Sequence, residues 1–259
     1  MAEPTHVLIL GGTGEAAALA ARLAEDPRLA VTTSLAGRTR APAALAGAVR
    51  IGGFGGPEGL AAHIARERVA MVVDATHPFA AVISENAAQA CKHSGTPRLQ
   101  LVRPAWQAQP DDDWRVVATL EEATELLPSL GQRIFLTIGR QEVGAFEDLT
   151  EHWFLVRMIE PPETPLPLAQ HQLLLGRGPF DETAEMALLR THEIDALVAK
   201  NSGGEATYAK IAAARTLGLP VVMIARPEPP AGAQVTRIED ALAWIETRLA
   251  ERTEAVPAS

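Results

Sequence analysis

Short apolar runs recur along the chain. Between them lie longer stretches whose apolar residues are spaced three and four apart. VLIL (7–10), AVTTSLA (30–36), AVRI (48–51), AMVVDA (70–75) and RLQLV (98–102) are predicted strands, because such short apolar and β-branched runs fit a buried strand. AAALAARLAE, LAAHIARE and AAVISENAAQACKHS, with apolar residues on one helical face, are predicted helices between them. LEEATELLPSL continues as a helix. The pattern then restarts with strands RIFLTIG (133–139), WFLVRMI (153–159), QLLLG (172–176), IDALVAK (194–200) and PVVMIA (220–225). TAEMALLRT and ATYAKIAAARTLG are helices between the later strands, and IEDALAWIETRLAER closes the pattern.

Strands that alternate with helices make βαβ units and parallel sheets. The expected fold is α/β, with two Rossmann-like parallel-sheet domains, 1–130 and 131–259, and a ligand cleft between them. One long doubly wound sheet is the alternative. The proline-rich stretch PPETPLPLAQ (161–170) reads as a surface loop.

Composition narrows the function. The 259 residues carry 23 Lys and Arg against 32 Asp and Glu, a net charge of -9, which disfavours nonspecific nucleic-acid or anionic-membrane binding. No apolar stretch approaches the ~20 residues of a membrane span. The N-terminus has no basic segment ahead of an apolar one, so a cytoplasmic location is expected. The single cysteine, Cys91, excludes an internal disulfide and reads as a buried, inert thiol. No long apolar surface stripe is left over, so a monomer is expected.

The first candidate site follows the first strand. Gly12-Thr13-Gly14-Glu15-Ala16-Ala17 fits the pattern G-x-G-x-x-G/A between a strand and an alanine-rich helix. Glycines there let the backbone approach a pyrophosphate, and Ala17 is expected to let the helix pack closely on the strand. Sites for NAD usually end the second strand with an acid that binds the ribose hydroxyls. The window SLAGRTR (34–40) has no acid but carries Arg38 and Arg40, which suit a 2′-phosphate. NADPH is therefore the expected cofactor. Its expected contacts are Gly12, Thr13, Gly14, Glu15, Arg38, Thr39, Thr76 and His77.

In open parallel sheets, ligands bind beyond the carboxyl ends of the strands. Cations recur at the predicted ends: Arg38, Arg103, Arg140, Arg157, Arg177, Lys200 and Arg226. They suggest a ligand with several negative charges. A second glycine turn, Lys200-Asn201-Ser202-Gly203-Gly204, follows ALVA and precedes a predicted helix, which is the arrangement of an anion cradle. Within DATHPF (74–79), Asp74 and Thr76 can cap the turn and Pro78 can start the next helix. His77 remains at a strand end, where it could orient a nicotinamide or relay a proton; it is the one candidate catalytic residue. The chain has no C-x-x-C, no H-x-x-x-H, no nucleophile elbow and no P-loop, and Tyr208 is followed four residues on by alanine. No metal site is expected.

ILGGTGEA, DATHPFA, Arg103-Pro104, LTIG (136–139), GPF (178–180) and KNSGG followed by AAR, LGLPVV and IARP occur in an order that resembles the precorrin-6A reductase family. The likeness spans residues 6 to 227. It implies NADPH-dependent reduction of one double bond in the precorrin-6A macrocycle, a step of cobalamin biosynthesis. The implied partner is a tetrapyrrole with many acetate and propionate carboxylates. Under that resemblance Arg140, Lys200, Asn201, Ser202, Gly203, Gly204 and Arg226 are the expected substrate contacts. A reductase of another polyanion, and a regulatory protein that senses NADP without chemistry, are the alternatives.

Overall fold

A computed structural model describes residues 3–37 and 45–254. In chain order the strands and helices are β1 (Thr5–Leu10), α1 (Gly14–Leu23), β2 (Leu29–Leu35), β3 (Ala48–Ile51), α2 (Pro57–Arg66), β4 (Met71–Asp74), α3 (Ala81–Ser94), β5 (Arg98–Leu101), β6 (Trp114–Val117), α4 (Leu120–Leu126) and β7 (Arg133–Thr137). There follow β8 (Trp153–Met158), β9 (His171–Leu175), α5 (Glu182–Thr191), β10 (Ala196–Lys200), α6 (Ala209–Leu217), β11 (Val221–Ile224), β12 (Ala233–Val235) and α7 (Ile238–Glu254). Short 3₁₀ segments follow α4 and β7. None of the described helices is long and apolar enough to cross a membrane.

The chain divides into two compact units. Unit 1 holds the residues up to Arg103 and those from Pro227 onward; unit 2 is Pro104–Arg226. Each contains one six-stranded parallel sheet, so the expected pair of Rossmann-like sheets is present. The expected boundary at residue 130 is corrected, for two reasons. WRVV forms β6, which pairs with β11 in the sheet of unit 2. AQV forms β12, which pairs with β5 in the sheet of unit 1. Both strands are too short and too exposed to stand out as apolar runs. The chain therefore leaves unit 1 at Arg103-Pro104 and returns at Arg226-Pro227.

In unit 1 the order is β3-β2-β1-β4-β5-β12, the doubly wound order of dinucleotide-binding folds. Alternate side chains of a strand point to opposite faces, and the core follows that period. Val7 and Ile9 pack with Leu19 and Leu23 of α1 and with Ala241, Ile245 and Leu249 of α7. Leu8 and Leu10 pack on the other face with Leu60 and Ile64 of α2 and with Ala87, Ala90 and Cys91 of α3. Cys91 is buried, and burial pushes its thiol up to about 11.

In unit 2 the order is β9-β8-β7-β10-β11-β6. Phe135, Leu155, Leu197 and Met223 meet α5 and α6 on one face. Phe146 meets Phe154 edge-on, 6.0 Å between ring centres. In each sheet the direction of winding reverses between two central strands: β1 and β4 in unit 1, β7 and β10 in unit 2. Ligands in such sheets bind beyond the carboxyl ends at this reversal.

Candidate functional site

At the reversal of unit 1 the glycine turn joins β1 to α1. Thr13 is the N-cap of α1: its backbone is extended and its Oγ1 accepts the Ala16 N–H at 3.1 Å. The same hydroxyl donates to the carbonyl of Ala75, just past β4, at 2.8 Å, so it fastens the helix start across the reversal. Gly12 has φ 113°, a backbone that side chains rarely adopt, and among the described residues a Cβ on Gly12 or Gly14 would meet nothing within 4 Å. The first turn of α1 thus presents its unpartnered N–H groups to open space, which fits a pyrophosphate. The close helix-to-strand contact is corrected by one residue. Ala16 is buried and lies 3.4 Å from where a Gly11 Cβ would stand, whereas Ala17 is half-buried.

Glu15 sits in that first turn, where its carboxylate would repel an anion. Arg103, beyond β5, pairs with it at 3.0 Å and offsets the charge. Arg38, Thr39 and Arg40 lie outside the described residues; they follow the end of β2, the strand beside β1.

The 74–80 turn closes β4. Asp74 is buried, and its Oδ1 accepts the Thr76 N–H at 3.2 Å and the Thr76 hydroxyl at 2.7 Å. The Thr76 hydroxyl also lies 3.2 Å from the Ser84 hydroxyl. The expected helix start at Pro78 is corrected: α3 begins at Ala81. Pro78 lies in a turn closed by the Ala80 N–H on the His77 carbonyl at 2.7 Å. His77 Nδ1 accepts the Phe79 N–H at 3.2 Å, which leaves the proton of the neutral ring on Nε2.

At the reversal of unit 2 the second glycine turn follows β10. It is not a helix N-terminus, because α6 begins only at Ala209, beyond a loop of turns. Asn201 Oδ1 accepts the Trp106 N–H at 2.8 Å, and Asn201 Nδ2 donates to the Trp106 carbonyl at 3.1 Å. Trp106 Nε1 donates to the Gly204 carbonyl at 2.8 Å. A Cβ on Gly203 would stand 2.0 Å from the Pro104 carbonyl oxygen, so glycine is a steric requirement there. The Ser202 N–H donates to the Lys200 carbonyl at 2.6 Å. The loop is braced from within, chiefly by Trp106, which no periodic pattern marks in the sequence.

The strand-end cations divide into two kinds. Lys200 Nζ donates to Glu142 Oε1 at 2.5 Å, linking the end of β10 to the 3₁₀ segment after β7. Arg226 Nε donates to the Asn201 carbonyl at 2.6 Å, and Arg226 Nη2 to the Pro104 carbonyl at 3.1 Å. Arg157, in β8 with its side chain 9% exposed, forms a two-pronged pair with Glu185 of α5, at 2.9 and 2.6 Å. Arg140 and Arg177 are exposed. Of the strand-end cations, Arg103, Arg157, Lys200 and Arg226 thus have internal partners.

The sequence did not flag Lys210, at the start of α6. Its Nζ donates to the Thr207 carbonyl at 2.7 Å and lies 5.1 Å from the Trp106 ring centre. Burial, with the nearby Arg157 charge, lowers its pKa from 10.5 to about 7. Between those values the unfolded chain binds a proton that the folded chain does not, so stability rises with pH, by at most about 1.4 kcal/mol per unit. Lys210→Met is expected to unfold at higher urea concentration than the parent at pH 7. The gap should shrink by pH 9. A gap that is constant with pH would contradict the assignment.

Among the described residues no group of three or more His, Cys, Asp or Glu could hold a metal ion. Two doubly wound parallel units, one with an open glycine turn at its reversal, have the arrangement of dinucleotide-binding α/β proteins. A family model described as precorrin-6x reductase CbiJ/CobK matches residues 6–246. A precorrin-6A reductase of Rhodococcus erythropolis is 54% identical over 94% of this chain and 98% of its own length. A cobalt-precorrin-6A reductase of Priestia megaterium is 30% identical over 90% of this chain and 95% of its own. A solved structure, CobK precorrin-6A reductase, superposes with a TM-score of 0.89 at 43% identity, covering 94% of this chain and 97% of that one. The chain belongs to the precorrin-6x reductase family. Its activity is that of a precorrin reductase of cobalamin biosynthesis, acting on a carbon–carbon double bond with a reduced nicotinamide cofactor.

Proposed function

We propose that unit 1 holds NADPH and that the chain uses it to reduce metal-free precorrin-6A to precorrin-6B. The observation that carries the reading is the open glycine turn at the N-terminus of α1, beside the reversal of the sheet. Backbone N–H groups of this turn bind the pyrophosphate, and Arg38 with Thr39 binds the 2′-phosphate. The absence of an acid after β2 supports the phosphorylated cofactor. The metal-free substrate is favoured because the 54% identical relative is named for precorrin-6A and the cobalt-precorrin relative is 30% identical.

The reduced nicotinamide supplies the hydride. Glu15 and Arg103 hold the first turn of α1 near electrical balance. The bonds of Asp74 to Thr76 set the backbone that leads to His77. His77, protonated at Nε2, donates a hydrogen bond that orients the nicotinamide; an Nδ1 already occupied by a backbone N–H suits this role better than proton transfer. Exposed Arg140 and Arg177, with Ser202, meet carboxylates of the tetrapyrrole. Lys200, Asn201, Gly203, Gly204 and Arg226 build the loop that carries Ser202.

Titrating NADPH and NADH against the parent and Arg38→Ala tests the cofactor assignment. A charged hydrogen bond contributes about 1.5–3 kcal/mol, so the variant should lose roughly ten- to a hundredfold in NADPH affinity and little in NADH affinity. Equal affinity of the parent for both nucleotides would contradict the 2′-phosphate contact.

A further inference from the structure

We propose that Arg98 is a positioning residue for the 74–80 turn, acting through Asp74, and that it couples this turn to the segment by which the chain returns to unit 1. The inference rests on the reading that the turn faces the nicotinamide. Arg98 opens β5 and Asp74 closes β4, with side chains 6% and 1% exposed. The carboxylate divides its two oxygens. Oδ1 takes the N–H and the hydroxyl of Thr76, the residue before His77. Oδ2 faces Arg98 Nη1 at 3.8 Å, and among the described residues neither of these two atoms has a hydrogen-bond partner.

A charge so deeply buried needs an opposite charge beside it. Arg98 is the cation that forms an ion pair with Asp74 among the described residues. Its other prong points elsewhere. Nη2 donates to the Ala231 carbonyl at 2.9 Å and approaches the Pro230 carbonyl at 3.4 Å. Gly232 follows with φ 146°, and a Cβ there would stand 3.0 Å from Nη2, so the guanidinium is confined on that side. The pairing of β5 with β4 and β12 uses backbone groups and needs none of these side-chain contacts. One guanidinium therefore spans the return segment and the carboxylate that shapes the turn. A shift in either is passed to the other, and through Thr76 to His77.

The test is a double-mutant cycle in the full chain, with Arg98→Met, His77→Ala and the pair. Its readouts are kcat and the KM for NADPH and for precorrin-6A. Arg98→Met is expected to lower kcat about tenfold with the precorrin KM unchanged, and the pair should fall no further than the worse single variant, within about twofold. Should Arg98→Met not fold, Arg98→Lys keeps the cation and loses the two-pronged reach, and the same cycle applies. Single losses that multiply, with His77→Ala clearly impaired, would overturn this inference and leave the reading of the turn intact. His77→Ala with parental kcat and parental NADPH KM would overturn both.

Discussion

Replacing Glu185 by alanine is expected to destabilise unit 2 by about 3–5 kcal/mol, because it leaves a buried cation without its partner. Arg157 and Glu185 are 9% and 4% exposed, and their two hydrogen bonds, 2.9 and 2.6 Å, join β8 to α5. Among the described residues Arg157 Nε has no hydrogen-bond partner, so Glu185 carries most of the compensation. The rings of Phe135 and Phe180, at 4.8 and 4.1 Å from the guanidinium carbon, would remain as weak substitutes. The effect should spread to the second glycine loop, because the Phe180 N–H donates to the Ala206 carbonyl at 3.1 Å. Urea unfolding of the variant checks this. The pair Arg157→Met with Glu185→Leu should recover most of the loss, since removing both charges also removes the cost of burying them. An unchanged unfolding midpoint for Glu185→Ala would show that the pair contributes nothing.

Replacing Gly14 by valine is expected to separate folding from cofactor binding. Gly14 is exposed, is the first residue of α1, and among the described residues has open space where a Cβ would stand. The fold should tolerate valine at a cost below about 1 kcal/mol, because the helix-propensity difference is small and no atom is displaced. The isopropyl group would fill the space into which the N–H groups of the first turn open. NADPH affinity should fall by about a hundredfold or more, a loss of roughly 3 kcal/mol, as expected when an anion loses charge-assisted backbone bonds. Isothermal titration and thermal unfolding of the same preparation check both halves. Parental affinity would place the pyrophosphate elsewhere.

Most of the fold was legible because buried parallel strands are apolar on both faces. VLIL, RIFLT and ALVAK stand out for that reason, and the helices between them carry one apolar face. Two of the edge strands, β6 and β12, were not legible. WRVV has Val116 two-thirds exposed, and AQV is only three residues long. Without those two strands the apolar pattern places the domain boundary at 130 and does not show that α7 returns to unit 1. The apolar stripe of α7 was visible in the sequence, but a stripe does not say which sheet it covers.

The candidate site's local structure was legible where backbone shapes it and obscure where side chains pair across the fold. Gly12 and Gly14 mark themselves, since few other roles ask for glycine between a strand and a helix. Arg157, Lys200 and Arg226 gave the same signal as Arg140 and Arg177, although three of them are turned inward. Their partners, Glu185, Glu142 and the carbonyls of Asn201 and Pro104, are distant in sequence, and no spacing rule links them. Asp74 was expected to cap a turn and does so. Its cation, Arg98, opens a strand otherwise read as core. Lys210 looked like one polar residue on an alanine-rich helix, and only packing against Trp106 shows it to be buried.

The most direct test of the account is a single reaction: purified chain, NADPH and precorrin-6A, with nicotinamide absorbance and product mass followed together. The account expects NADPH to be oxidised only when the macrocycle is present, one equivalent per macrocycle, with a product heavier by two hydrogens and with NADH a poorer reductant. NADPH binding with no substrate-dependent oxidation would contradict the account and favour a nucleotide sensor.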